Sequence, residues 1–433
     1  MKRFMLEGGI LGSLLLIIFF LYHLGILPLL TVGGIGLFLL PLADCYMLQG
    51  RTVEKDFYQV TSYMEQMPAS FGRTPIIRNA LRDSQSDFPS ESDMWKTLEK
   101  MSVTLETGDC GTEDECWTRG DLLRNAFSIM EKQYPCRRMA LLHDFMVKAE
   151  ETGGNTEEFL ELWLQDFHMW KRRVLLFQKK RQHLCFESMI ACVMTLGLCG
   201  LSVYFIPWNL RETLTESGYY QWSSAVMIIA MMAVFVRTLS KRAASWLDVE
   251  GEQEKKGRER LLKNYRVIKR HRDGCLCFFS KKICRQAVER EFPYWLLTVA
   301  MLLQMDNIFQ AVHTAAEYTS EIIRREADEF LQRLYQDPVS KEPYRSFFSE
   351  LEIPEVQSGM KMLYSIIHNG CENTSRQIRF LVEQNNLVVN QAEKRDLENR
   401  MAPLRYMRQL PIVIASLKIM FDILVLLERL VAG

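Results

Sequence analysis

The sequence predicts an all-α, multi-pass membrane protein with about five transmembrane helices and two cytoplasmic helical bundles. Three observations predict it: five apolar stretches, cations gathered at one end of each, and two large charged segments whose landmarks recur in the same order. Residues 6–24, 27–46, 188–206, 219–239 and 410–430 are nearly free of charge, and roughly 20 helical residues cross a hydrocarbon core. The first two form an expected hairpin within residues 1–50. Its basic start, Lys2 and Arg3, resembles a secretory signal, but the apolar character continues past Leu24, Gly25 and Pro28 without a clear small-residue cleavage site. A retained hairpin is the better reading.

Lys and Arg resist translocation and collect on the cytoplasmic side of spans. Arg51 and Lys55 follow the second stretch; Lys171, Arg172, Arg173, Lys179, Lys180 and Arg181 precede the third; Arg237, Lys241 and Arg242 follow the fourth; Arg395, Arg400, Arg405 and Arg408 lead into the fifth. The connection Pro207 to Gly218 carries Arg211 against Glu212 and Glu216. The N-terminus and both large segments are therefore expected in the cytoplasm, with the short connection and the C-terminus outside. The expected division is residues 1–50 as hairpin, 51–187 as first bundle and 188–240 as a transmembrane pair. Residues 241–290 form a basic linker, 291–409 the second bundle and 410–433 the last span.

A formal net charge of zero offers no global field for nucleic acid. The basic clusters are local to membrane edges, where they set topology and meet anionic headgroups of the lipid bilayer. Eleven cysteines raise a disulfide or metal reading. Cys45, Cys185, Cys192 and Cys199 lie at or within a span, and the others fall where thiols stay reduced. Cys110 with Cys116, and Cys275 with Cys277 and Cys284, lack paired C-x-x-C spacing, so no metal site is expected. Phosphate-cradle, H-E-x-x-H and G-x-S-x-G motifs are missing from the sequence. No catalytic residue, cofactor or nucleotide hydrolysis is expected.

Apolar residues recur at helical spacing in Trp295, Leu296, Val299, Ala300, Leu302 and Leu303, and again in Leu363, Ile366, Ile367, Ile378, Leu381 and Val382. Segments of about 130 to 170 residues suffice for bundles with their own cores. Thr107 to Thr118 reads as a polar loop, and Asp248 to Arg272 as an amphipathic or linking helix.

The two bundles share landmarks. Asp56-Phe57 and Glu291-Phe292 each open an amphipathic helix. The next helix is expected to be capped by Thr74 with Pro75 in one copy, and by Asp306 or Asn307 in the other. Ala80-Leu81 then matches Ala311-Val312. Further on, Lys148 to Leu160 parallels Ser365 to Ile378, each a helix, a glycine turn and a new helix. Gly153, Gly154 and Gly370 mark the turns, Gly154 and Gly370 suiting a left-handed helix end. Asn155 with Glu158, and Thr374 with Gln377, have capping-box spacing.

These residues resemble a family. The run Glu150-Glu-Thr-Gly-Gly-Asn-x-x-Glu-Phe-Leu160, followed by a basic helix and a span, is similar to the type II secretion system F domain of inner-membrane platform proteins in secretion machines and type IV or Flp/Tad pili. The second copy, with Glu291-Phe-Pro-Tyr-Trp-Leu296, Gly370 and the exit at Leu410-Pro411, is similar as well. The resemblance covers roughly residues 56–240 and 290–430. It implies non-catalytic F domains in the cytoplasm that connect a hexameric secretion ATPase to pilin or pseudopilin assembly in a bacterial cytoplasmic membrane. Other membrane assembly subunits and further copies of the chain, as a homo-oligomer, are the implied neighbours. The opening hairpin departs from the better-known platforms and looks more like two Tad-type subunits fused end to end. The polar insertion Asp109 to Glu115 is a second departure.

Thr156 to Ile206 and Thr374 to Leu430 read as long levers into the membrane, with Pro403 and Pro411 as kink points in the second. Lys418 and Asp422 stand four apart in the last span, on one helix face, where each neutralises the other or meets a partner. His23 and His368 carry no ligand set. Two further readings stay open: a secondary transporter, since internal repeats are common there, and a membrane-anchored helical scaffold unrelated to secretion.

Overall fold

The computed structural model describes residues 16–107, 119–153, 156–243, 261–266, 268, 275–303, 306–369 and 374–432; among them every regular element is helical. The expected Thr107–Thr118 loop lies outside the described residues except for its first, and so does most of Asp248–Arg272, of which residues 261–266 are helical. The chain divides into two compact units. One comprises Met1–Lys55, Val174–Ser245 and Glu398–Gly433, and the other Asp56–Arg173 and Trp246–Leu397. Of the segments expected as bundles, residues 56–173 and 291–397 fall within the second unit, and residues 51–55, 174–187 and 398–409 within the first.

Helix α1 (Ile26–Arg73) is followed by α2 (Ile77–Ser86), α3 (Asp93–Thr107), α4 (Arg119–Gln133), α5 (Arg137–Thr152) and α6 (Thr156–Ser202). A short α7 (Trp208–Thr215) and α8 (Gly218–Arg242) come next. Then follow α9 (Cys275–Leu302), α10 (Ile308–Glu317), α11 (Glu321–Gln336), α12 (Glu342–Ser346), α13 (Pro354–Asn369) and α14 (Thr374–Ala432).

Four described helices are long and apolar enough to cross a bilayer: Ile26–Arg73, Phe159–Phe205, Gly218–Arg242 and Met401–Glu428. The protein is a membrane protein with several apolar spans. The fifth expected span, residues 6–24, is described only from residue 16, with 16–22 helical. His23 takes a positive φ of 48° where this stretch turns into α1. Pro28 lies in the first turn of α1, where a missing N–H costs nothing.

In this membrane unit Ile18, Tyr22, Leu24, Val32, Cys199, Ala225, Met227, Ile228 and Ala415 form a core. Small residues let helix backbones approach where lipid gives little hydrophobic drive. Gly200 is the tightest case, since a Cβ there would lie 2.2 Å from Leu21 Cγ. Phe38, Val193 and Val226 are exposed, as lipid-facing residues must be when the solvent is hydrocarbon. Hydroxyls tie the helices together: Ser188 Oγ lies 3.2 Å from Thr238 Oγ1 and donates to the Met407 carbonyl at 3.4 Å.

The second unit has its own buried core. Ile77, Ala80, Leu81 and Ser84 of α2 are buried, at the spacing of one helical face. In α11 the buried set is Ile322, Ile323, Glu326, Ala327, Phe330, Leu331 and Leu334. Helices α2 and α10 have 10 residues each, and α5 and α13 have 16 each; α3 has 15 where α11 has 16. The order breaks once: the 15-residue α4 has as its counterpart the 5-residue α12 and a three-residue 3-10 turn.

Two expected caps resolve differently. Helix α2 starts at Ile77 with Ile76 at the cap and no side-chain cap, so Thr74 and Pro75 stand before the helix rather than at its end. Its first N–H is satisfied from far along the chain: Ile77 N–H donates to Glu150 Oε2 at 2.8 Å. In α10 the cap is Asn307, whose Oδ1 accepts from the Gln310 N–H at 2.9 Å. Asp306 instead pairs with Lys148 at 3.1 Å.

Candidate functional site

The last apolar helix carries two ionisable side chains that a hydrocarbon environment penalises unless they are paired. Lys418 Nζ donates to Asp422 Oδ1, one turn along α14, and their side chains are 3% and 12% exposed. The same ammonium lies 4.1 Å from the centroid of the Tyr220 ring on α8, close enough for a cation–π attraction strengthened by desolvation. The charge is therefore met twice, by a carboxylate on its own helix and by a ring on a neighbour. A groove of about 630 Å³ opens beside it, lined by Ser217, Trp222, Val226, Leu417, Lys418 and Phe421 among others. The arrangement holds a neutralised charge inside an apolar unit; a nucleophile with an adjacent base is not part of it.

The turn residues are placed as follows. Gly153 ends α5 in the left-handed conformation, φ 65°, its N–H donating to the Ala149 carbonyl, a conformation that a Cβ disfavours. Gly154, Asn155 and Gly370 lie outside the described residues. Glu158, Thr374 and Gln377 fall in the first turns of α6 and α14, and their side chains are likewise outside the description. Pro403 and Pro411 both lie inside α14. No disulfide joins the described thiols Cys45, Cys136, Cys185, Cys192, Cys199 and Cys284. Among the described residues no cluster of three or more His, Cys, Asp or Glu could hold a metal.

Sequence reading missed the polar groups buried in the second unit. Arg138 and Asp166, each 4% exposed, form an ion pair. The guanidinium also lies 5.4 Å from the Trp170 ring centroid and 5.0 Å from that of Tyr294. Tyr63 OH lies 2.9 Å from His143 Nε2, whose Nδ1 is 2.8 Å from Glu131 Oε1, with Phe127 stacked on the imidazole at 4.0 Å. Their separations of 80 and 12 residues leave no local signature. Further polar contacts join the two segments of this unit. Lys148 Nζ reaches Asp306 and Thr314 at 3.1 and 3.3 Å, Tyr318 OH donates to Asp144, and Arg379 meets Glu161 at 3.1 Å. Burial, reinforced by Asp144, drives the Tyr318 hydroxyl far above the usual phenol range. Tyr265, in the helical stretch 261–266, donates to the buried Glu326 at 2.6 Å.

No family model, no curated protein and no solved structure matches this chain.

Proposed function

We propose that this chain is the integral membrane platform of a type II secretion or Tad-like pilus assembly system in a bacterial cytoplasmic membrane. On this reading it couples a cytoplasmic secretion ATPase to pilin or pseudopilin assembly, with two F-like modules in one chain. The observation that carries the reading is continuity of helix. α1, α6 and α14 each contribute residues to both compact units without a break in the helix. At ~1.5 Å rise per residue an unbroken helix transmits displacement along its axis, which is what a platform asks of segments between a motor and a membrane-embedded substrate. The parallel order and lengths of α2, α3 and α5 with α10, α11 and α13 support a duplication of the module.

The test is a flexible Gly-Ser insertion after Gln182, within α6. Membrane insertion is expected to persist while pilus or pseudopilus assembly is lost; assembly at the unmodified level overturns coupling through this helix. Copurification of the solubilised chain with the hexameric secretion ATPase of the same organism supports the partner assignment, and repeated failure under conditions that retain other assembly subunits argues against it.

A further inference from the structure

The connection between α6 and α8 joins two adjacent spans, so it lies at a membrane surface. Sequence reading expects a loop there; instead residues 208–215 form α7, started by Pro207, whose carbonyl accepts from the N–H groups of Leu210 and Arg211 at 3.0 and 2.9 Å. Around it, aromatic rings face outward: Phe205 is 89% exposed, Trp208 66% and Tyr219 65%. Amphipathic rings concentrate at the headgroup level of bilayers, and these cluster at the ends of two spans.

Within that girdle, the Arg211 guanidinium lies against two aromatic rings. Its Cζ lies 4.4 Å from the Trp208 ring centroid and 4.9 Å from that of Tyr204. The Tyr204 ring is itself fixed, since its hydroxyl donates to the Phe20 carbonyl at 2.8 Å and lies 3.3 Å from His23 Nε2. Glu212 and Glu216 sit one and five positions along, off the face that neighbours Arg211. Among the described residues the guanidinium makes no hydrogen bond or ion pair. Contact with two rings holds the guanidinium in place, and its planar fork of N–H donors matches a phosphate oxygen pair.

We infer that Arg211, held against the rings of Trp208 and Tyr204, is a binding site for the phosphate of an anionic phospholipid at this membrane surface. The aromatic surround selects a lipid over free phosphate: it supplies apolar contact for the glycerol and upper acyl chain, which inorganic phosphate does not use. The inference is independent of the platform reading.

The experiment is lipid retention by the purified full-length chain, counted by native mass spectrometry after exchange into mixed micelles containing phosphatidylglycerol or phosphatidylcholine. The basic clusters near the other ends of the spans bind anionic lipid in every variant and set the baseline. Above that baseline, Arg211→Gln is expected to retain about fivefold less phosphatidylglycerol, the effect of one basic residue near a charged membrane surface, with phosphatidylcholine unchanged. Arg211→Lys, which keeps charge but loses the planar fork, is expected to fall between. Should Arg211→Gln accumulate poorly, Trp208→Leu carries the test, because it keeps the helix apolar while removing one stacking ring, and it too is expected to lose phosphatidylglycerol selectively. Retention equal to the unmodified chain, equal loss of both lipids, or displacement of phosphatidylglycerol by millimolar inorganic phosphate overturns the assignment.

Discussion

Glu150 Oε2 accepts the Ile77 backbone N–H at 2.8 Å, across 73 residues of sequence, so the start of α2 is capped by the end of α5. A side chain that satisfies an orphan donor at a helix start is worth about 0.5–2 kcal/mol. Glu150→Ala is therefore expected to lower the thermal midpoint of the solubilised protein by a few degrees, and Glu150→Gln, which keeps an acceptor oxygen, by less. Equal midpoints for Glu150→Ala and the unmodified chain would show that water replaces the carboxylate at no cost.

Arg138 and Asp166 are buried together, and the two single substitutions should differ from the double. Breaking a buried pair by removing one partner costs about 3–5 kcal/mol, whereas apolar replacement of both is often neutral. Arg138→Met and Asp166→Leu are each expected to reduce stability strongly, and the combined variant to recover most of it. Additive losses in thermal unfolding would refute the coupling.

For Lys418 and Asp422 the same logic applies in an apolar unit. Asp422→Leu strands an ammonium and is expected to lower the yield of folded, membrane-inserted protein, by the ~2.5–3.5 kcal/mol that a lone central charge costs on insertion. Lys418→Leu with Asp422→Leu is expected to restore it. If the double variant inserts normally but no longer supports assembly, the pair also serves a partner; normal assembly limits it to self-neutralisation.

Burial, with Asp56 and Asp93 adding to it, pushes the Tyr134 hydroxyl up to about 12 from an ordinary value of 10.0. The folded form thus holds its proton more tightly than the unfolded chain does. Its contribution is fully present below pH 10 and is lost as pH rises toward about 12, because the unfolded state ionises first. Tyr134→Phe is expected to flatten the fall of thermal midpoint across that window. An unchanged slope would place the alkaline sensitivity elsewhere, with Tyr318 the next group to test.

At Gly200 a Cβ would meet Leu21 Cγ at 2.2 Å. Gly200→Val is expected to force residues 16–22 away from α6, read as faster chymotrypsin cleavage at Tyr22, which is buried in the unmodified chain. Unaltered protection would mean that the two helices separate without penalty.

Four of the five expected spans were legible because an uninterrupted run of apolar residues has few alternatives, and the Lys418–Asp422 pair because i,i+4 spacing suffices to place two side chains together. The start of α2 was not. Thr74-Pro75 has the local signature of a helix start, yet the chain stays extended to Ile76 because its cap comes from Glu150, a tertiary contact that local chemistry does not encode. Helix α7 escaped for another reason: eight residues give too few turns for periodicity to register. The Arg138–Asp166 pair and the Tyr63–His143–Glu131 set are assembled only by folding, and no spacing announces them.

Arg408 binds Glu187 of α6 at 2.9 Å, a bond between helices that any relative motion must stretch. Lys418 differs, because its carboxylate rides on the same helix. A rod that carries its own counterion can turn or slide past its neighbours and keep its ammonium neutralised, giving up at Lys418 only the Tyr220 contact, whereas at Arg408 the ion pair itself must open.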